Sequence, residues 1–497
     1  MAPISDLQIN RAEEIEMQAN VFEKAKLDAA YYAAQSFRVR CLVDSREEIL
    51  KAGSYTGEDL DKITMAIFDS EFAKFQLWEA LRAHGPLSLD QLQEYARDCC
   101  QSLFDVVARA FQMKFEGLAS VEENEGQITQ VLATSAKPED LRPIYEQVTK
   151  GVSHSCSGCG MCAAICPLGC VTVEDGRVTI NEETCIHCGL CYTVCPRSYF
   201  PKSVADWLVA QGEAVPLDVQ IGSYIDAYSA QTTVPEIREV GQDGGVVTTL
   251  LFYAFQAGKI EAALGAKLTE KPWKPEPFVM KSQEDAILAA GTKYANNPTL
   301  SALPQLTSYS RVAVVGTPCM MQALRKGDIY PIGHKFWDKV KYKIGIFCME
   351  SFSYDSIVKI AEQLGTSIEN AKKMNINSGK FFIRTKDGEV LQAPVKEVTQ
   401  LARNECHYCY DLTSESADVS VGSIGSPEGW SSVIVRTPAG KDLFDGAVEA
   451  GLLEVQKLDE IEPGLPMLVK IAGFKSGGCN KRILEASEQN GVVPVYK

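Results

Sequence analysis

One cysteine spacing occurs twice between Cys156 and Pro196. Cys156, Cys159, Cys162 and Cys166 precede Pro167, and Cys185, Cys188, Cys191 and Cys195 precede Pro196, each set as C-x2-C-x2-C-x3-C-P. This is the spacing of a bacterial-type two-cluster ferredoxin. Three thiolates on one tight loop wrap one face of an iron–sulfur cubane. The fourth lies too far along the chain to join them and ligates the cluster of the other repeat. The expected sets are therefore Cys156, Cys159, Cys162 and Cys195 for one [4Fe–4S] cluster, and Cys185, Cys188, Cys191 and Cys166 for the other. A zinc knuckle needs no third cysteine at the same step followed by x3-C-P. Between the repeats, V-T-V-E-D-G-R-V-T-I alternates apolar and polar residues about Asp175-Gly176, which predicts a hairpin with a primed turn.

The chain has 497 residues, too many for one core, so several domains are expected. Seventeen cysteines over this length do not make a secreted disulfide scaffold. Eight of them serve clusters, which implies a reducing, cytoplasmic compartment. The opening M-A-P-I-S-D-L-Q-I-N has neither a basic nor an apolar signal region. No apolar run reaches membrane-span length, though peripheral membrane association stays compatible. A net charge of −16 argues against nucleic acid as the main partner.

The fold class expected is multidomain α/β: a helical, winged-helix-like region over 1–147, the ferredoxin unit over 148–200, and a mixed α/β domain over 215–497. The stretch from residue 8 is rich in helix formers. A helix is expected from Asp69, with Phe72, Leu77, Trp78 and Leu81 on one face, stopped by Gly85-Pro86. A second covers L-S-L-D-Q-L-Q-E-Y-A, a third carries Leu103, Phe104, Val107 and Phe111, and a hairpin turns at Glu125-Gly126. Three helices and a hairpin suggest a winged helix. The third helix has few cations (Arg109, Lys114) and the hairpin tip is acidic, so docking to another subunit is favoured over DNA binding. Cys41, Cys99 and Cys100 read as free thiols.

Beyond Gly222, β-branched runs ending in glycine alternate with helical stretches, as in a central sheet flanked by helices. Four stretches stand out: G241-Q-D-G-G before a helix, G291-T-K-Y-A-N-N-P, V315-G-T-P-C319, and F347-C-M-E with C406-H-Y-C-Y-D and G422-S-I-G-S-P-E-G-W. Cys319 and Cys348 follow strand ends, which converge at one sheet edge, and Cys406 and Cys409 form a C-x-x-C. Four such thiols suit a third [4Fe–4S] cluster or a zinc ion. The ferredoxin repeats favour the cluster.

These motifs, in this order, resemble the family of beta subunits of coenzyme F420 hydrogenases and dehydrogenases over more than half the chain. Variants with two added ferredoxin clusters are similar to the input subunit of F420H2 dehydrogenase and the beta subunit of F420-dependent formate dehydrogenase. The resemblance implies FAD, a third [4Fe–4S] cluster on Cys319, Cys348, Cys406 and Cys409, and hydride exchange with coenzyme F420. It places FAD near Gly244, Gly245, Thr248, Lys293, Tyr294, Asn297, Gly316 and Thr317 and the loop holding Gly425, Ser426 and Gly429. Lys293 is expected near the flavin, and His154 and His187 near the ferredoxin clusters. No catalytic acid or base is assigned. No hydrogenase or molybdopterin site is visible, so electrons pass to or from a partner: a heterodisulfide reductase-like, formate dehydrogenase-like or hydrogenase-like subunit, or ferredoxin. The alternatives are the same module using NAD(P)H or an organic substrate, and a non-catalytic electron wire.

Overall fold

The computed structural model describes residues 24–124, 127–141, 153–210, 217–218, 220–332, 334–488, 493–494 and 496. Residues 24–35 are helical, and the earlier part of the expected first helix lies outside the described residues. The helix expected from Asp69 starts well before it, at Gly57, and runs to His84. Its start is set by a capping box: Asp59 N–H donates to Thr56 Oγ1 (3.2 Å), and Thr56 N–H donates to Asp59 Oδ2 (3.1 Å). Leu60, Ile63 and Ile67 then extend the buried stripe. Ser88 with Gln91 and Ser102 with Asp105 cap the helices Leu89–Tyr95 and Leu103–Phe115 in the same way.

The strands Ala119–Asn124 and Gln127–Ala133 pair antiparallel, and the expected turn at Glu125-Gly126 lies outside the described residues. Leu87, between the first two of these helices, bridges antiparallel to Val131. The order helix–helix–helix–hairpin is thus present. The cations of the third helix are held within the chain. Arg109 donates to Ser70 Oγ and Gln112 Oε1 and lies over the Tyr330 ring, and Lys114 pairs with Glu123.

In the ferredoxin unit the short helices Met161–Ile165 and Leu190–Val194 each follow a left-handed glycine, Gly160 (φ 88°) and Gly189 (φ 67°). The hairpin pairs Val171–Glu174 with Arg177–Ile180, and Asp175 (φ 44°) and Gly176 (φ 78°) form its primed turn.

The C-terminal half is built on an eight-stranded sheet. Its order is Leu453–Lys457, Asp226–Thr232, Ser431–Val435, Val419–Gly422, Val340–Ile346, Val312–Gly316, Ala262–Leu268, Pro275–Met280. The four strands from Val419–Gly422 to Ala262–Leu268 are mutually parallel, and those on both flanks pair antiparallel. The sheet is buried on both faces, so its central strands read as apolar runs. Along Val312–Gly316, Ala313 and Val315 face one core with the helices Val246–Gln256 and Pro438–Glu449. Val312 and Val314 face the other, shared with Met161, Ile165, Leu190, Val194, Leu60 and Ile63. The ferredoxin unit and N-terminal helices therefore help form the second covering layer of the sheet and share its core.

Two elements were not foreseen: an antiparallel sheet of Ala371–Asn377, Lys380–Thr385 and Val390–Pro394, and the helix Gly464–Glu488. Among the described residues no helix is long and apolar enough to cross a membrane.

Candidate redox site

The two ferredoxin repeats interlock. Cys156 and Cys159 lie within electrostatic reach of Cys195, and Cys162 of Cys156, Cys159 and Cys195. In the second repeat Cys188 and Cys191 feel Cys185 and Cys166. Burial pushes the Cys188 thiol up to about 12 and raises those of Cys156, Cys159, Cys162 and Cys191 as well. At these five positions burial makes the thiolate costly without a cation beside it, and an iron–sulfur cluster that binds sulfur as thiolate would supply one. Cys162 and Cys191 lie deep in the fold and keep part of their surface accessible. Backbone N–H groups of Gly158, Met161, His187 and Leu190 reach the sulfurs of Cys156, Cys159, Cys185 and Cys188. Such bonds set cluster potentials. Cys170, a ninth thiol, was not singled out in the sequence. Its side chain hydrogen-bonds Cys166 (Sγ–Sγ 3.3 Å) and Cys185 and holds both down to about 6 against their burial.

Cys319, Cys348, Cys406 and Cys409 come together at the carboxyl edge of the parallel strands. Cys319 follows Val312–Gly316, Cys348 follows Val340–Ile346, and Cys406 lies within the turn Asn404–Tyr408 with Cys409 just after it. Cys348 lies within electrostatic reach of the other three. Cys319 and Cys348 are also deep yet partly accessible. Ser351 N–H (3.4 Å) reaches Cys406 Sγ, and Thr317 Oγ1 lies 3.3 Å from Cys319 Sγ. Among the described residues no group of three His, Cys, Asp or Glu side chains is gathered as one metal ion would need.

Three residues outside the motifs join the sites. Arg197 N–H donates to Cys195 Sγ (3.4 Å), while its buried guanidinium donates to Tyr408 O (2.8 Å) and Tyr496 Oη and lies by Cys409 and Cys319. Arg403 donates to the carbonyls of Cys156, Ser157 and Gly176 (2.7–2.9 Å). Lys475 Nζ bonds Cys348 O, and the surrounding Cys409, Cys348, Asp411 and Cys406 raise its pKa against burial. Arg197 sits just past the second C-P, and Arg403 three residues before Cys406. Lys475 carries no signal in sequence. His154 stands edge-on to Tyr408 (5.5 Å), and His187 takes φ 56° in the second loop.

The glycine motifs collect on the same edge. Gly244 N–H donates to Ser431 Oγ (3.0 Å), Gln231 Nε2 to Gly429 O (2.8 Å), and the Ser426 and Ser432 hydroxyls pair (2.8 Å). Gly425 takes φ 100° and Gly429 φ 81°. Thr248 is buried in the first turns of Val246–Gln256, and Gly316 and Thr317 lead into the helix Pro318–Ile329. Asp243, a non-glycine at φ 49°, is raised by burial to about 6, with Lys373 opposing. Lys293 has another partner set: its ammonium donates to the carbonyls of Ala289, Ala290 and Gly291 (2.9 Å to the latter two), capping the helix Gln283–Leu288. Burial lowers it to about 8. Tyr294 packs edge-on against Phe381, and Asn297 Nδ2 donates to Thr299 (2.8 Å).

Comparison with known proteins gives this edge a family. Residues 227–304 and 309–461 match the N-terminal and C-terminal parts of the coenzyme F420 hydrogenase/dehydrogenase beta subunit, and residues 155–199 match a 4Fe-4S dicluster domain. The beta subunit of the coenzyme F420 hydrogenase of Methanothermobacter thermautotrophicus is 40% identical over 55% of this chain and 99% of its own. One of the F(420)H(2) dehydrogenase subunits of Methanosarcina mazei is 33% identical over 69% of this chain and 96% of its own. A chain of the F420-reducing [NiFe] hydrogenase complex from Methanosarcina barkeri superposes with a TM-score of 0.54 at 38% identity, covering 57% of this chain and 98% of that one. The chain therefore belongs to the family of coenzyme F420 hydrogenase/dehydrogenase beta subunits and carries a dicluster ferredoxin domain ahead of the family domain.

Proposed function

We propose that this oxidoreductase subunit exchanges hydride between coenzyme F420 and FAD and passes single electrons through three [4Fe–4S] clusters to or from a partner subunit. The partner is hydrogenase-, formate dehydrogenase- or heterodisulfide reductase-like, or a ferredoxin. FAD supplies the change from a two-electron hydride to single electrons. The observation that carries the reading is the gathering of Cys319, Cys348, Cys406 and Cys409 beside both the glycine loops and the ferredoxin unit.

The thiol contacts also support an order. Cys159 is within electrostatic reach of Cys319, and Cys162 of Cys191. The third cluster thus lies next to that of Cys156, Cys159, Cys162 and Cys195, with the cluster of Cys185, Cys188, Cys191 and Cys166 furthest from the flavin. Arg197 and Lys475 place positive charge against the third cluster and favour its reduced form. The flavin would lie against the Gly244-Gly245 and Gly425–Gly429 loops, where helix N-terminal N–H groups favour phosphate. Lys293 shapes this region by capping its helix.

The test is anaerobic reduction of the holoprotein. Reduced coenzyme F420 is expected to bleach the flavin and then the clusters, while NADH and NADPH do not. Bleaching by a nicotinamide alone overturns the reading. Cys406→Ser with Cys409→Ser is expected to remove a third of the iron and leave the ferredoxin signals. An unchanged iron content with zinc lost instead overturns the third cluster.

A further inference from the structure

The surface beside Cys406 and Cys409 has a composition that the chain's own packing does not explain. The helix Gly464–Glu488 passes this pair, and Phe474, Gly478, Lys481 and Glu485 on one of its faces line a cavity of about 420 Å³. Met349, Glu350, His407 and the two cysteines line it too, with Glu350 3.6 Å from His407 Nε2. Gly477 and Gly478 lie side by side inside this helix, where glycine is the least favourable residue after proline. Elsewhere a glycine has a local reason: a Cβ on Gly244 would sit 2.3 Å from Ala230 O, and one on Gly440 1.9 Å from Asp418 O. At Gly477 and Gly478 a Cβ meets nothing within 4 Å, and neither has positive φ.

The rest of the face is also unusual for a free surface. Of the lining residues Phe474 is 64% exposed and Met349 part-exposed, and Met467 and Leu484 are exposed elsewhere on the same helix. Lys470, Lys481 and Arg482 are exposed on the same helix, Lys481 3.9 Å from Glu485 and Arg482 over the Tyr408 ring, in a chain whose net charge is −16. A part-apolar, glycine-smoothed patch whose rim is mixed in charge but net cationic, lying against two cysteines of a redox site, has the anatomy of an electron-transfer contact.

We propose that this face docks a one-electron carrier protein with an acidic contact surface, and that Gly477-Gly478 let its backbone approach the third cluster. The inference rests on that cluster being present, as in the proposed function. In the step, one electron leaves the third cluster and reduces the partner's centre by one; no proton moves and no bond forms. The third cluster is then a branch point, with one branch through this face and the other through the ferredoxin unit.

The test uses the holoprotein with an acidic two-[4Fe–4S] ferredoxin as probe and methyl viologen as a small control. Lys481→Glu with Arg482→Glu, and separately Gly478→Trp, are expected to weaken ferredoxin binding and its electron-transfer rate at least tenfold. The double variant should also flatten the salt dependence of the rate. Flavin reduction and the viologen rate should not change. Gly477→Ala with Gly478→Ala should raise the melting temperature of the free holoprotein, because no packing is lost. Unchanged ferredoxin binding in the charge and tryptophan variants overturns the proposal, as does a lowered melting temperature in the alanine variant. It is also overturned if Glu182→Lys with Glu183→Lys, at the far ferredoxin cluster, alone abolishes binding, or if the face proves to join two copies of this chain. Absence of the third cluster shows instead in the iron count of Cys406→Ser with Cys409→Ser, which does not depend on docking.

Discussion

Replacing Arg38 by Met tests whether the N-terminal helices hold the outer ferredoxin loop. Arg38 is fully buried; its guanidinium donates to Glu71 Oε1 (3.2 Å), Gly189 O (3.2 Å), Cys188 O (3.4 Å) and Thr193 Oγ1. Lys74 lies between Glu71 (2.9 Å) and Glu116 (3.0 Å), so two buried cations face two buried carboxylates. Lys74 and Arg38 hold the Glu71 carboxyl below its usual range although burial opposes them. Removing Arg38 leaves one cation facing two buried carboxylates. Breaking a buried pair costs about 3–5 kcal/mol, and lost donors to the two cluster-loop carbonyls add about 1 kcal/mol or more. A destabilisation of roughly 4–6 kcal/mol follows. Native-state hydrogen exchange of the holoprotein should show peptides from 57–115 and from 185–199 losing protection together. Adding Glu71→Gln restores neutrality and leaves the Lys74–Glu116 pair. The double variant should then cost at least about 2 kcal/mol less than the sum of the singles. Additive costs, or full protection of 185–199 in Arg38→Met, would refute the reasoning.

Arg197→Met should make the midpoint potential of the third cluster more negative. A charged hydrogen bond of about 1.5–3 kcal/mol corresponds to roughly 60–130 mV for one electron. Arg197→Lys should recover part of the shift in an EPR-monitored titration, and the outer ferredoxin cluster should not move. His334, enclosed by Tyr55 and Phe336 with Lys335 and Asp59 nearby, is lowered by burial to about 4. The unfolded chain binds this proton first, so stability should fall as pH drops from about 6.5 to 4, by up to about 3 kcal/mol. His334→Gln should flatten the part of the urea-midpoint profile lying in that window.

The ferredoxin unit was legible because its chemistry fixes spacing: each thiol must reach a defined corner of a cube, and Asp175-Gly176 admits one kind of turn. The α/β half was legible as alternation, since buried parallel strands are apolar runs. The early start of the helix Gly57–His84 was missed because Thr56 and Asp59 are ordinary residues until seen as a cap. The helix Gly464–Glu488 was missed because its three interior glycines weaken the helical signal. Arg197, Arg403 and Lys475 could not be found by pattern. Each acts across more than a hundred residues of chain, through contacts that only the folded sheet edge creates.

The glycine motifs have packing requirements of their own beside any role toward a ligand. G241-Q-D-G-G suggests a phosphate cradle, yet Gly244 is required by the chain itself, since Ser431 N would lie 2.7 Å from its Cβ. Lys293, the residue expected at the flavin, gives its protons to three carbonyls. These residues make the edge by packing and capping, and what they leave for a cofactor is backbone N–H groups at a helix start. Asp243 is different: it holds φ 49° with its carboxyl buried. A strained polar residue in such a place marks function more often than stability. Asp243 and the neighbouring N–H groups therefore stand beside Lys293 as positions to substitute in testing the flavin site proposed above.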